Sequence, residues 1–252
     1  MWLGVVIVLA MLLPLLFSGT RTIGENVGDN PLVLAVRTDR SSPAEESLAA
    51  DLTLIVFTDY RCPACRSAHP GMKRAVARDG KVRIVYKDWP VFGPISERAA
   101  EVAIASDFQG IYPRVHDRLM TGAADNDALL QTAVEHSGGN WPVLQCDLVE
   151  HKSRIAAQLS QNKLQAFQLG LGGTPGYLIG PILVRGALEE KEFVQAFKQA
   201  RDAKKLHRRV REHRRRSVNA VTACSDRKCR HWPRMPTMPP LMGAASRYED
   251  IG

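Results

Sequence analysis

Cys62 and Cys65 stand three positions apart at the end of the stretch Phe57-Thr58-Asp59-Tyr60-Arg61-Cys62-Pro63-Ala64-Cys65. A dithiol at that spacing can close a disulfide on itself and hand it to another thiol. The apolar run Leu52-Thr53-Leu54-Ile55-Val56-Phe57 reads as a buried strand that delivers the pair to its end. Pro63 suits a first helical turn, where its missing N–H costs nothing. Cys62 then sits at a helix N-terminus, beside unpaired N–H groups and the positive end of the dipole. A thiolate there is stabilised, so its pKa should fall from ~8.5 into the range of roughly 3.5–7.5. Cys65, one turn deeper, can attack a mixed disulfide at Cys62 and release the bound thiol.

Two other chemistries use such a pair. A structural zinc site needs four ligands, and the candidates beyond Cys62 and Cys65 are His69 and the distant Cys224 and Cys229. The Cys224–Cys229–His231 cluster has poor metal spacing and lacks a fourth ligand. A static disulfide across so small a loop would restrict the unfolded chain little. Redox exchange is the favoured reading. A metal-binding or copper-delivery module that uses Cys62, Cys65 and His69 is the alternative from another functional class.

The elements that must hold the pair can be read along the chain. Residues 21–50 form a polar, turn-rich lead-in, interrupted by a strand-like run at Leu32–Val36. After the cysteines, Ala68, Met72, Ala75 and Val76 recur at helical spacing, with Pro70 expected to kink the helix and Gly80 to end it. Val82–Tyr86 reads as a second strand, which completes a strand–helix–strand unit. Residues 95–169 then turn helical. Ser96 opens one run, Asn126 caps a helix over 127–136, and 143–169 reads as one long helix. That is too much chain for a crossover and reads as an inserted helical subdomain. Tyr177–Ile179 and Ile182–Val184 flank a Gly180-Pro181 turn, which predicts a hairpin. A helix from Glu189 to Arg201 closes the domain, placed at 51–203. The fold class is α/β.

Charge divides the chain unevenly. Of 34 Lys/Arg and 26 Asp/Glu, residues 201–252 hold 14 and 5, which leaves 20 and 21 in residues 1–200. The body is close to neutral, so no nucleic-acid partner is expected. The basic segment 204–252 reads as a solvated helical extension that becomes disordered beyond Ser217. At the other end, Trp2–Phe17 is a run of sixteen uncharged residues, short for a membrane span. Residues 1–20 are read as a signal peptide or an N-terminal membrane anchor. Export would place the cysteines in an oxidising compartment. Cys146 reads as a small core residue, and His116 and His136 as helix residues without a partner pattern.

Three stretches together resemble the DsbA-like branch of the thioredoxin superfamily. They are Phe57–Cys65, the segment Tyr86-Lys87-Asp88-Trp89-Pro90-Val91-Phe92-Gly93-Pro94, and Gly173-Thr174-Pro175-Gly176-Tyr177. The resemblance extends over about residues 50–200 and implies a thioredoxin fold with an inserted helical subdomain. It implies that Cys62 is the exposed attacking thiol, Cys65 the buried resolving thiol, and Pro175 a cis proline opposite them. Thr174 would then offer its backbone to a bound peptide. Asp59 would be either a local acid for proton transfer to Cys65 or a strand-end cap for the helix. No cofactor and no resident metal are implied. The residues between the cysteines, Pro63 and Ala64, lack the His of the strongest oxidases, which suggests a weaker oxidant. The lead-in is too short for an isomerase-type dimerisation domain, so a monomer is expected. The resulting expectation is a periplasmic or otherwise extracytoplasmic oxidase. It would act on exported cysteine-containing proteins and be recycled by a membrane redox partner. Reductase or isomerase activity is the alternative within the fold.

Overall fold

The computed structural model describes residues 22–28 and 31–225. The apolar segment 1–20, Cys229 and the side chain of Cys224 lie outside the described residues. The chain divides into two compact units, Met1–Leu206 and His207–Gly252, and the sheet belongs to the first. Its strands are β1 (Glu25–Asn26), β2 (Ala44–Glu45), β3 (Leu52–Thr58), β4 (Val82–Asp88), β5 (Gly176–Ile179) and β6 (Ile182–Arg185). Their order across the sheet is β1-β6-β5-β3-β4-β2. Only β3 and β4 run parallel, and the other pairs are antiparallel.

The central pair is apolar on both faces, as a strand covered on both sides must be. Leu54, Val56, Ile84 and Tyr86 point into one core, and Ile55, Phe57 and Val85 into the other. The parallel register requires a crossover, supplied by α2 (Pro63–Asp79). Gly80 ends that helix at φ 69°, a left-handed conformation that a side chain would oppose, and its N–H caps the Val76 carbonyl. Helix α2 runs unbroken through Pro70 from Pro63 to Asp79.

Between β4 and β5 the chain builds α3 (Pro94–Ala105), a 3₁₀ turn at Ser106–Gln109, α4 (Tyr112–Thr121), α5 (Asp127–His136), α6 (Trp141–Glu150) and α7 (Lys152–Gln168). This is the inserted helical subdomain. Asn126 caps α5 as expected, its Oδ1 accepting from Leu129 N at 3.0 Å. The predicted single helix over 143–169 is two helices that meet at His151; the first starts earlier than expected, at Trp141, where Asn140 caps it by accepting from Val143 N. Ser96 does not open α3. That helix starts at Pro94 after Gly93, and the Ser96 hydroxyl is committed to Asp59.

The lead-in is more structured than its composition suggests. The run Leu32–Val36, expected as strand-like, lies within helix α1 (Pro31–Thr38), with Val33 and Val36 buried three positions apart and Leu34 exposed. An all-apolar run carries no period, and Pro31 at the start favours the helix. The flanking residues form the edge strands β1 and β2. Helix α8 (Glu190–Ser225) closes the first unit with Phe193, Ala196, Phe197 and Ala200 buried. Its helical segment runs past Ser217, where loss of periodicity had suggested disorder.

Candidate active site

Strand β3 ends at Thr58, and the turn Asp59–Arg61 lifts the chain onto α2. Cys62 is the N-cap of that helix, in extended conformation, with Pro63 following in the first turn. Its Sγ accepts from Cys65 N at 3.4 Å. Its S–H donates to the carbonyl oxygen of Thr174, also at 3.4 Å. The peptide bond from Thr174 to Pro175 is cis. The two stretches are thus brought together as the resemblance implied, with the loop before β5 facing the cysteine turn.

Both cysteines are free thiols, and each is only 3% exposed. For Cys65 that matches the expected buried thiol. Cys62 was expected to be exposed, and it is not, because its sulfur lies against the Thr174 backbone. Burial pushes the Cys65 thiol up to about 12, offset in part by the neighbouring Thr174 hydroxyl, Asp59 backbone and Thr58 hydroxyl. Deprotonating Cys65 therefore calls for a base or a charge nearby.

Asp59 is 1% exposed and is neither a helix cap nor free to move. Its Oδ1 accepts from Arg61 N and Ser96 Oγ, both at 2.7 Å. Its Oδ2 accepts from Val91 N at 2.6 Å and Phe92 N at 3.1 Å. The carboxylate therefore clamps the segment after β4, and the start of α3, against the cysteine turn. The capping function falls to Cys62 itself. The clamped segment presents Val91 and Phe92, 43% and 49% exposed.

A model of the thioredoxin family matches residues 47–199. A thioredoxin-like oxidoreductase from Silicibacter pomeroyi is 31% identical, with a TM-score of 0.63 over 69% of this chain and 98% of that one. The chain belongs to the thioredoxin family. A periplasmic thioredoxin-like protein from Salmonella enterica serovar Typhimurium is 25% identical, with a TM-score of 0.60 over 69% of this chain and 98% of that one. The thiol-disulfide exchange protein alpha-DsbA2 from Wolbachia pipientis shares the fold at 23% identity, with a TM-score of 0.60 over 64% of this chain and 88% of that one. The chain also matches an Na(+)/H(+) antiporter, NhaA 3 of Salinispora tropica, 30% identical over 103 residues. That match takes in 39% of this chain, which spans 15% of the antiporter's length.

Within this thioredoxin-family domain, several polar residues stand in places that residue spacing did not reveal. His69, a candidate ligand beside the cysteines, is buried and pairs its Nε2 with Asp117 Oδ1 at 3.1 Å. Among the described residues no group of three His, Cys, Asp or Glu is arranged to hold a metal ion. Cys146, expected in the core, is exposed on α6. His116, expected to lack partners, is fully buried and bonded to Tyr60 at 2.9 Å. Tyr112 donates to both carboxylate oxygens of Asp88, at 3.0 and 2.9 Å. The one available signal was the density of Tyr, His and Asp at the ends of β3 and β4 and the start of α4. Among the described residues, no helix is long and apolar enough to cross a membrane.

Proposed function

We propose that this chain is an exported oxidase that transfers a Cys62–Cys65 disulfide to the thiols of substrate proteins. The observation that carries the reading is the position of Cys62 Sγ, held between Cys65 N and the Thr174 carbonyl. That sulfur stands at the N-terminus of α2, facing a backbone N–H, and next to the loop that a substrate would reach, which supports its role as the sulfur that exchanges with substrate thiols. The carbonyl of Thr174 stands beside the reacting sulfur, where an extended substrate backbone can pair with the loop.

In the transfer, a substrate thiolate attacks Cys62 Sγ. A substrate–Cys62 disulfide forms, the Cys62–Cys65 bond breaks, and its electron pair leaves on Cys65. A second substrate thiolate then attacks the substrate sulfur of the mixed disulfide and expels Cys62. The substrate loses two electrons and leaves with a disulfide, while the protein becomes the dithiol. Regeneration requires a thiol-oxidising redox partner, in our reading a membrane protein. Cys62 is the sulfur that exchanges with substrate, Cys65 its resolving partner, and Thr174 with Pro175 forms the peptide-binding loop. Asp59 is assigned to positioning, because all four of its hydrogen bonds are spent on the frame of the site. Similarity to a periplasmic relative and the apolar segment 1–20 support an extracytoplasmic location.

The test is oxidative refolding of a reduced, denatured disulfide protein by stoichiometric oxidised chain. Recovery of activity with matching loss of the Cys62–Cys65 disulfide is expected. Failure to oxidise the substrate, with efficient reduction of insulin by the dithiol form, would reverse the direction.

A further inference from the structure

Helix α8 changes character along its length. Phe193, Ala196, Phe197 and Ala200 recur at helical spacing, are buried and pack on the core. The same register continues at Lys204, Arg208, Arg211 and Arg215, so the line that packs in the first turns becomes basic. Residues 204–216 hold eight Lys/Arg and one acid, Glu212. Lys204 still donates to the Asp51 carbonyl at 3.1 Å, whereas Arg208, Arg209, Arg211 and Arg215 are exposed. Arg208 lies 3.7 Å from Glu212, a surface pair that holds neither side chain firmly.

A second pattern runs along the same stretch. Leu206 and Val210, four residues apart, are 65% and 59% exposed. Ser217 and Val221 follow at the same helical register, eleven and fifteen residues after Leu206, so the line carries no charge. Arg208 and Arg215 fall on the far side of the helix from it, and Arg209 and Arg211 on its two flanks. A narrow apolar line within a basic, otherwise polar helix is the pattern of a helix that lies in the plane of a bilayer surface.

Three partners could meet such a face, and they differ in what they satisfy. A second copy of the helix brings like charge against like charge, with a single acid on each side. A nucleic acid would neutralise the arginines but leave Leu206 and Val210 in water. An anionic lipid surface answers both features: its phosphates pair with guanidinium groups, and its acyl boundary takes the apolar line.

We propose that segment 205–221 of α8 docks the protein on a membrane surface rich in anionic phospholipid. Leu206 and Val210 enter the boundary between headgroups and acyl chains. Arg209 and Arg211 pair with lipid phosphates on the two flanks, and the far-side cations add longer-range attraction. The proposal goes beyond the exchange reading and does not depend on it: it concerns where the protein sits, and the cysteines take no part.

The test is flotation of the full chain with two kinds of vesicle, one of phosphatidylcholine alone and one of equal parts phosphatidylcholine and phosphatidylglycerol. At low salt the chain should float with the anionic vesicles about tenfold or more above the neutral ones, and salt should release it. Arg209→Gln with Arg211→Gln should weaken binding to anionic vesicles about twentyfold, since each basic residue near such a surface is worth about fivefold. Leu206→Gln with Val210→Gln keeps the charge and should weaken it about tenfold. All four positions are exposed, so both variants should fold and exchange with glutathione at the wild-type rate. A wild type that fails to exchange overturns the redox reading alone. Absence of flotation with anionic vesicles overturns the docking. Equal flotation with neutral vesicles, unmoved by the arginine changes, also overturns it and assigns binding to the apolar segment 1–20. Undiminished flotation of the Leu206/Val210 variant overturns it as well, because any polyanion, duplex DNA included, would then fit the surface equally.

Discussion

The Cys62 thiol donates to the Thr174 carbonyl at 3.4 Å across 112 residues of chain, which joins the start of α2 to the loop before β5. Neither stretch is a site without the other. Strand β3 carries the cysteine turn, and its antiparallel partner β5 carries the loop, so the central sheet sets their separation.

Replacing one cysteine at a time should separate the two roles. Cys65→Ser removes the resolving thiol, so substrate thiols captured at Cys62 should persist as mixed disulfides visible by mass spectrometry. Cys62→Ser should capture none. Equal trapping by both variants would refute the assignment.

Asp59→Ala leaves two loop N–H groups, Arg61 N and the Ser96 hydroxyl without their acceptor. A loss of about 3 kcal/mol or more in urea unfolding is expected, since buried donors left unpaired cost about 1–3 kcal/mol each. Glutathione exchange by the folded fraction should also slow, because the Val91–Phe92 segment loses its clamp. A stability change under about 0.5 kcal/mol, the scale of an ordinary surface substitution, would show that the clamp is not structural.

On the opposite sheet face Lys87, 0% exposed, pairs with Asp39 at 2.6 Å. Burial lowers the lysine pKa, and the Asp39 partner opposes that shift. Although burial acts against it, the bonds from Lys87, Ser41 and Gln165 hold the Asp39 carboxyl well below the usual carboxylate range. That stabilisation is present above the unfolded carboxyl's pKa of about 3.9 and fades as pH falls toward the folded value. Asp39→Asn should cost about 3–5 kcal/mol by stranding the buried ammonium, and Asp39→Leu with Lys87→Met should cost clearly less. Additive losses in the double-mutant cycle would contradict the coupling.

Asp88 makes the opposite pH prediction. Its carboxyl titrates near about 7 when folded, because burial disfavours the ion. The unfolded carboxyl titrates near about 3.9, so between those values the unfolded state binds fewer protons and stability falls as pH rises. The loss from this one group is on the order of 4 kcal/mol across that window. Asp88→Asn should lack it, so unfolding curves of the variant and wild type should converge toward pH 4 and separate toward pH 7. Curves that keep a constant offset would show that Asp88 is ionised throughout.

Much of the framework was legible because it rests on strong local signals. The β-branched run of β3, the proline after Cys62, Gly80, the Asn126 cap and the Gly180-Pro181 turn each have a local cause that the fold preserved. What escaped depends on tertiary partners. Pro31–Thr38 is helical because Val33 and Val36 reach the second core, which its apolar run does not reveal. Ser96 looks like a helix opener until Asp59 is seen beside it. The cysteine pair and Thr174-Pro175 were readable as a set, but the shielding of Cys62 arises only when they meet. The Asp88–Tyr112–Tyr60–His116 chain draws on β4, α4 and the cysteine turn, which no sequence window contains.

The most direct measurement is equilibration of the Cys62–Cys65 pair with a glutathione redox buffer, read by the fraction of protein in the disulfide form. A reduction potential well above that of thioredoxin, toward about −120 mV, is the result expected of a disulfide donor. A value near about −270 mV would make the chain a reductase and contradict the proposed direction.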